Sequence, residues 1–252
     1  MTRSTSDGGL VLPRYLVEDP SHRTPLAYPG YRSTALRAPL REPVDLPHRL
    51  TEVTGPVLGE DRVQAHDADL TWRNGGEAVG QRILVHGRVL DSDGRPVPGA
   101  LVEVWQANAA GRYRHVVDQW PAPLDPHFDG LGRVVTDDLG RYEFLTIKPG
   151  AYPWGNHHNA WRPAHVHFSL FGRAFTQRLV TQMYFPDDPL FGQDPIFNAI
   201  PPVARDRAIS RFSLERTQDN WALAFEWDIV LRGAEQTPFE ASDPADDDGD
   251  VA

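Results

Sequence analysis

The chain has 252 residues, 40% of them hydrophobic and 24% charged, the make-up of an ordinary globular protein. It has no cysteine, which excludes disulfides, thiolate nucleophiles and zinc–sulfur sites and fits a reducing compartment. The formal net charge is −10, but five of the acids (Asp243, Asp246, Asp247, Asp248, Asp250) sit in the tail ASDPADDDGDVA, and no basic stripe with interleaved aromatics points to nucleic acid.

The N-terminus, MTRSTSDGGL, lacks the apolar core of a secretory signal, and no apolar run approaches the roughly 18 residues of a membrane helix. A cytoplasmic enzyme is the expectation. Residues 1–9 read as disordered. From 10 to 50 the chain is rich in proline and arginine, and up to residue 80 it offers at most a short helix near 48–54. Such a segment buries little surface by itself, so 1–80 is expected to lie extended over its own core or a partner.

From residue 81 to 240 the pattern is that of strands. RILVHGRVL alternates Ile83, Val85 and Val89 with more polar positions, and Asp93-Gly94 is a hairpin turn signal. LVEVWQANA is read as the answering strand, with Val102 and Val104 on one face and Glu103 and Trp105 on the other. GRVVTDD, a turn at Leu139-Gly140, RYEFLTI, AHVHFSLFG, RLVTQMYF and LAFEWDIVLRG follow. Only residues 202–216 look helical, with Pro202 suited to the first turn. The spacing predicts an all-β protein, an antiparallel β sandwich with long loops, a proline-rich N-terminal segment, one or two short helices and a disordered acidic tail over 241–252.

Chemistry concentrates in two stretches. In WRPAHVHFSL, strand geometry puts His165 and His167 on one face, half of a metal site, although two surface histidines give the same pattern. Upstream, the loop KPGAYPWGNHHN carries Tyr152 and Trp154, and Pro149, Gly150 and Pro153 fix the chain around Tyr152. Trp161 reads as core packing, and His157 and His158, adjacent on a loop, as incidental. No carboxylate stands in an obvious position to complete a facial triad with the histidines. Phenols are the alternative donors. A phenol titrates near pH ~10 and needs a highly charged ion to bind as phenolate, so a two-His, two-Tyr set would favour a hard ion such as Fe(III). Pattern alone does not say which tyrosines take part.

LVEVWQANAAGRYRH, TIKPGAYPW, WRPAHVHF and LVTQMYFPDDPLF, in this order, resemble the intradiol dioxygenases over roughly residues 20–240. The resemblance implies an Fe(III) cofactor held by Tyr113, Tyr152, His165 and His167, with Tyr152 the axial ligand that leaves when substrate binds. It implies catalytic roles for Arg162 and Gln182, pocket walls at Trp105 and Trp154, and substrate contacts from Tyr31 and Arg37. The reaction implied is ring opening of a catechol by O2 between its hydroxyl-bearing carbons.

Two further readings compete. A small transthyretin-like β module explains the strands and turns but not the joint presence of Tyr113, Tyr152, Arg162 and H-x-H. Family members that cleave catechol or hydroxyquinol carry a helical N-terminal dimerisation region, where this chain is proline-rich. That favours the branch acting on protocatechuate, in which an α subunit with degenerate iron ligands packs on the β chain. An acidic substrate would need a local cation, from Arg37, Arg162 or the partner.

Overall fold

The computed structural model describes residues 24–32, 34–37, 41, 63–155, 157–171 and 178–239. The expected disorder at 1–9, the short helix near 48–54 and the acidic tail lie outside these residues. In chain order come α1 (Thr34–Arg37), β1 (Trp72–Arg73), β2 (Gly76–Glu77), β3 (Arg82–Leu90), β4 (Leu101–Trp105), β5 (Leu131–Val135), β6 (Arg141–Ile147), β7 (Tyr152–Trp154), β8 (Ala160–Arg162), β9 (His165–Phe171) and β10 (Arg178–Tyr184). Then follow α2 (Pro195–Ala199), β11 (Arg211–Gln218), β12 (Ala222–Glu226) and β13 (Ile229–Val230).

Two sheets form a sandwich. One has the order β10-β9-β4-β5, antiparallel throughout. The other is built around β3, which pairs antiparallel with β6 and parallel with β12 and then β13, while β11 lies outside β12. The expected sandwich is present, with those two parallel pairings added. β3, β4, β6 and β9 send apolar residues inward, while Phe212 and Leu214 of the edge strand β11 stay exposed. Val85 and Val89 of β3 and Phe144 of β6 meet Val102 and Val104 of β4 and Val166, Phe168 and Leu170 of β9 in one buried cluster. Leu70, ahead of the first long strand, is fully buried there too. The ring of Phe168 contacts Tyr142, Phe144 and Trp227 edge-on, with centroids 5.9, 5.8 and 4.9 Å away. Burying one such side chain stabilises the fold by about 1.5–3 kcal/mol.

Two expectations about the strands are corrected. LVEVW does not answer RILVHGRVL: β3 and β4 belong to different sheets. A tight turn does form at Asp93-Gly94, where Gly94 N donates to Asp91 O and Val97 N to Val89 O. Pro98 cannot donate to a ladder, and Gly99 turns with φ 66°. Ala100 N then finds the Thr136 hydroxyl at 2.8 Å, and the chain crosses to the other layer.

The helix expected over 202–216 stops early. Pro202–Ala208 is a 3-10 helix with Pro in its first turn. Beyond it, Ile209 bridges Tyr184 in parallel and Ser210 N donates to Tyr184 O at 2.8 Å. This pairing extends the chain, and Arg211–Gln218 continues as an edge strand on β12. Tertiary pairing overrides local propensity here. No helix among the described residues is long and apolar enough to cross a membrane.

Candidate metal centre

β9 is buried on both faces, unlike a sheet edge with one side in water. Val166, Phe168 and Leu170 fill the core between the sheets, which turns His165, His167 and Ser169 the other way, under the loops. His165 is 2% exposed and His167 9%, so neither is a surface histidine. Their Nε2 atoms face each other at 3.2 Å. Nδ1 of His165 lies 2.7 Å from the carbonyl of Pro163, which can only accept. That contact assigns the ring proton to Nδ1 and leaves the Nε2 lone pair facing the site. Burial, then the Arg162 charge and His167, hold the His165 pKa well below the ordinary imidazole value, so the ring is in its neutral, ligating form. Trp105, paired directly with His167 across the β4–β9 ladder, stacks on its ring at 4.8 Å and 6°.

Tyr113 comes from a loop and Tyr152 from the first position of β7, two segments that are pressed together. Gly150 N donates to Asn108 O at 2.9 Å, and Gly111 N to the same oxygen at 3.0 Å. Gly111 has φ 74°, and a Cβ there would run into the carbonyl oxygen of Ala151. Only glycine permits this approach. It sets Tyr113 beside Tyr152, with rings 5.6 Å apart at 84°, and Tyr113 6.3 Å from His167. The Tyr152 hydroxyl lies 3.3 Å from His165 Nε2.

Tyr113, Tyr152, His165 and His167 are thus brought close together. Imidazole nitrogens bind metals such as zinc at about 2.0–2.1 Å, so two nitrogens 3.2 Å apart can share one ion. Among the described residues no three His, Asp or Glu side chains group to hold a metal. A set of two imidazoles and two phenols suits a hard, highly charged ion, and ferric iron fits it.

Arg162 borders this group. In the ribbon of β7 and β8 it pairs directly with Tyr152. The residue is 3% exposed, and its guanidinium carbon lies 5.6 Å from the centroid of the Trp154 ring. Nη2 donates to Gln182 Oε1, and Nε forms an ion pair with Asp194 Oδ1 at 3.1 Å. Gln182 and Tyr184 sit opposite His167 and His165 on β10. The Tyr184 hydroxyl is 2.8 Å from Gln182 Oε1 and 3.2 Å from Asp194 Oδ2.

Tyr184 and Asp194 were not visible as functional candidates in the sequence. Asp194-Pro195 signals a helix start, and Asp194 does cap α2, but nothing local ties it to Arg162. Tyr31 is buried, with its ring edge-on to Trp154 at 5.1 Å. It lines a small, half-open cavity of about 20 Å³, together with Gln182, Tyr184 and Ile196. Arg37 ends α1, and its side chain is outside what the structure describes. His157 packs on Trp154 at 4.9 Å and on Tyr31 at 5.6 Å, so it belongs to the aromatic wall, while His158 is exposed. Trp161 packs edge-on to Trp120 at 6.4 Å, away from the four donors.

The Dioxygenase family model matches residues 53–233. The protocatechuate 3,4-dioxygenase beta chain of Burkholderia cepacia is 59% identical over 223 residues, covering 88% of this chain and 94% of that one. The alpha chain of the same enzyme from Pseudomonas putida is 31% identical over 65% of this chain and 77% of its own. Among solved structures, 3-chlorocatechol 1,2-dioxygenase from Rhodococcus opacus 1CP superposes with a TM-score of 0.51 at 25% identity, over 67% of this chain and 66% of that longer one. Fold and sequence thus define an oxidoreductase on a β sandwich. The chain belongs to the intradiol ring-cleavage dioxygenases.

Proposed function

We propose that this chain is the iron-bearing β subunit of an enzyme that opens protocatechuate (3,4-dihydroxybenzoate) with O2 between its hydroxyl-bearing carbons. Both oxygen atoms enter the product, 3-carboxy-cis,cis-muconate. The observation that carries this reading is the convergence of Tyr113, Tyr152, His165 and His167 beside a buried arginine. The 59% identity to a protocatechuate 3,4-dioxygenase beta chain supports the substrate.

Ferric iron, when bound, supplies a Lewis acid and template that brings a catecholate and O2 to react. The side chains do the rest. Tyr152 Oη, beside His165 Nε2, would take the proton of one substrate hydroxyl if a bound cation holds it as phenolate. His165 and His167 are held in place, the first by the Pro163 carbonyl and the second by the Trp105 stack. Arg162, charged at every physiological pH, meets the negative charge that gathers on oxygen as the ring is attacked. Removing one such preorganised donor typically costs about 10²–10³ in rate. Trp105 and Trp154 wall the pocket against water.

An α subunit is the proposed partner, supported by the likeness to both chains of a two-chain enzyme. Oxygen uptake with protocatechuate, catechol and hydroxyquinol, with and without co-expressed α subunit, tests the reading. Fast uptake is expected with protocatechuate and the α subunit present. A preference for catechol by the lone chain would overturn the substrate.

A further inference from the structure

Asp194 has 0% of its surface exposed and yet is ionisable. Burying a carboxylate is costly unless it is paired and hydrogen-bonded. Here both oxygens have partners from different parts of the fold. Oδ1 accepts from Ile196 N at 2.9 Å and lies 3.1 Å from Arg162 Nε. Oδ2 lies 3.2 Å from the Tyr184 hydroxyl. The backbone is held as firmly. Asp194 O accepts from Asn198 N at 3.0 Å and from Asn198 Nδ2 at 2.9 Å, and Pro195 fixes the next residue. Asp194 is a rigid anionic point at the start of α2.

Arg162 is the opposite, a long side chain whose orientation must be imposed. Its contacts include the Nε ion pair with Asp194 and hydrogen bonds from Nη2 to Gln182 Oε1 and, at 3.5 Å, to the Tyr184 hydroxyl. Asp194 meets the guanidinium on a different edge from the other two. The Tyr184 hydroxyl has one proton and two acceptors, Gln182 Oε1 at 2.8 Å and Asp194 Oδ2 at 3.2 Å, and so ties Gln182 to Asp194.

We propose that Asp194 is the positioning residue of the site: it orients Arg162 and balances its buried charge, without touching substrate or metal. This rests on the ring-cleaving reading for its kinetic consequence, though not for its structural one. Because a misplacement of about 1 Å can cost about 10²-fold in rate, Asp194 governs turnover from outside the pocket.

The test is a double-mutant cycle of Asp194→Asn, Arg162→Gln and both together, on the αβ enzyme and on the metal-free protein. Asparagine keeps an N-cap oxygen for Ile196 N and removes the charge. Asp194→Asn is expected to keep its iron and to lower kcat about 10- to 100-fold, with KM for the aromatic substrate within about threefold. The double variant should be no slower than Arg162→Gln. Unchanged kcat in Asp194→Asn, or a double variant slower by the product of the two single effects, overturns the proposal. Thermal melting of the metal-free proteins supplies a readout without activity. Asp194→Asn should melt lower than the parent, and adding Arg162→Gln should restore part of that loss, because the uncompensated guanidinium is what destabilises. Strictly additive melting shifts overturn the pairing even if the variants bind iron poorly. Failure of the parent enzyme to consume O2 with any catechol sinks the ring-cleavage reading and leaves the melting cycle interpretable.

Discussion

Tyr152 and Arg162 are direct partners across the ribbon of β7 and β8, so the proposed departing ligand and the proposed catalytic cation share one face of a three-pair hairpin. Any shift of that ribbon moves both. Arg162 is also held by Asp194 and Gln182, and the Tyr152 hydroxyl lies 3.3 Å from His165 Nε2. As the proposed departing ligand, Tyr152 is the one of the two that must move.

Tyr152→Phe is therefore expected to keep its iron and to slow substrate binding. Iron analysis with stopped-flow mixing separates the two effects. Loss of iron as complete as in a histidine variant would refute the division of roles.

His165→Ala removes a donor whose Nε2 faces His167 and whose tautomer Pro163 fixes. It should abolish iron retention, read as iron per chain after gel filtration. The parent protein should be wine-red from tyrosinate-to-ferric charge transfer, and a colourless protein with full iron content would eliminate the two-tyrosine assignment.

Gly111→Ala places a methyl group against the Ala151 carbonyl at a φ of 74°. A loss of more than about 1 kcal/mol is expected in urea unfolding. Because the strain falls between the two phenol-bearing segments, the visible absorption of the iron-loaded protein should shift as well. A variant as stable as the parent would show that the segments separate at no cost.

Phe168→Ala empties a 0% exposed position between Tyr142, Phe144 and Trp227. Such truncations cost about 3–5 kcal/mol. Since His167 is its neighbour on the opposite face of β9, iron affinity should fall together with the unfolding midpoint.

The sequence made the histidine pair legible because strand periodicity is local: Val166 and Phe168 point inward, so His165 and His167 point out. The proposed ferric set was implied only by family resemblance, since Tyr113 and Tyr152 are brought together by a close approach of Gly111 to Ala151 that no periodicity encodes. Asp194 was hidden for a related reason. Its capping role is local, but its ion pair spans from Asp194 back to Arg162, and such pairings follow from the fold. The misjudged segments have the same origin. β4 leaves the hairpin because Pro98 and Gly99 redirect it, and β11 is drawn out of a helix by the bridge between Ile209 and Tyr184.

The central strand of the second sheet has a bearing on how the molecule is made. β3 ends at Leu90, yet its partners come from residues 141–147, 222–226 and 229–230. As the chain leaves the ribosome, one edge of β3 must wait for nearly the whole protein to be synthesised before it is covered. Long-range pairing of this kind is slow and leaves open edges prone to association. A nascent or truncated chain ending near residue 220 would present that edge to its neighbours, so aggregation during synthesis is the hazard that this topology carries.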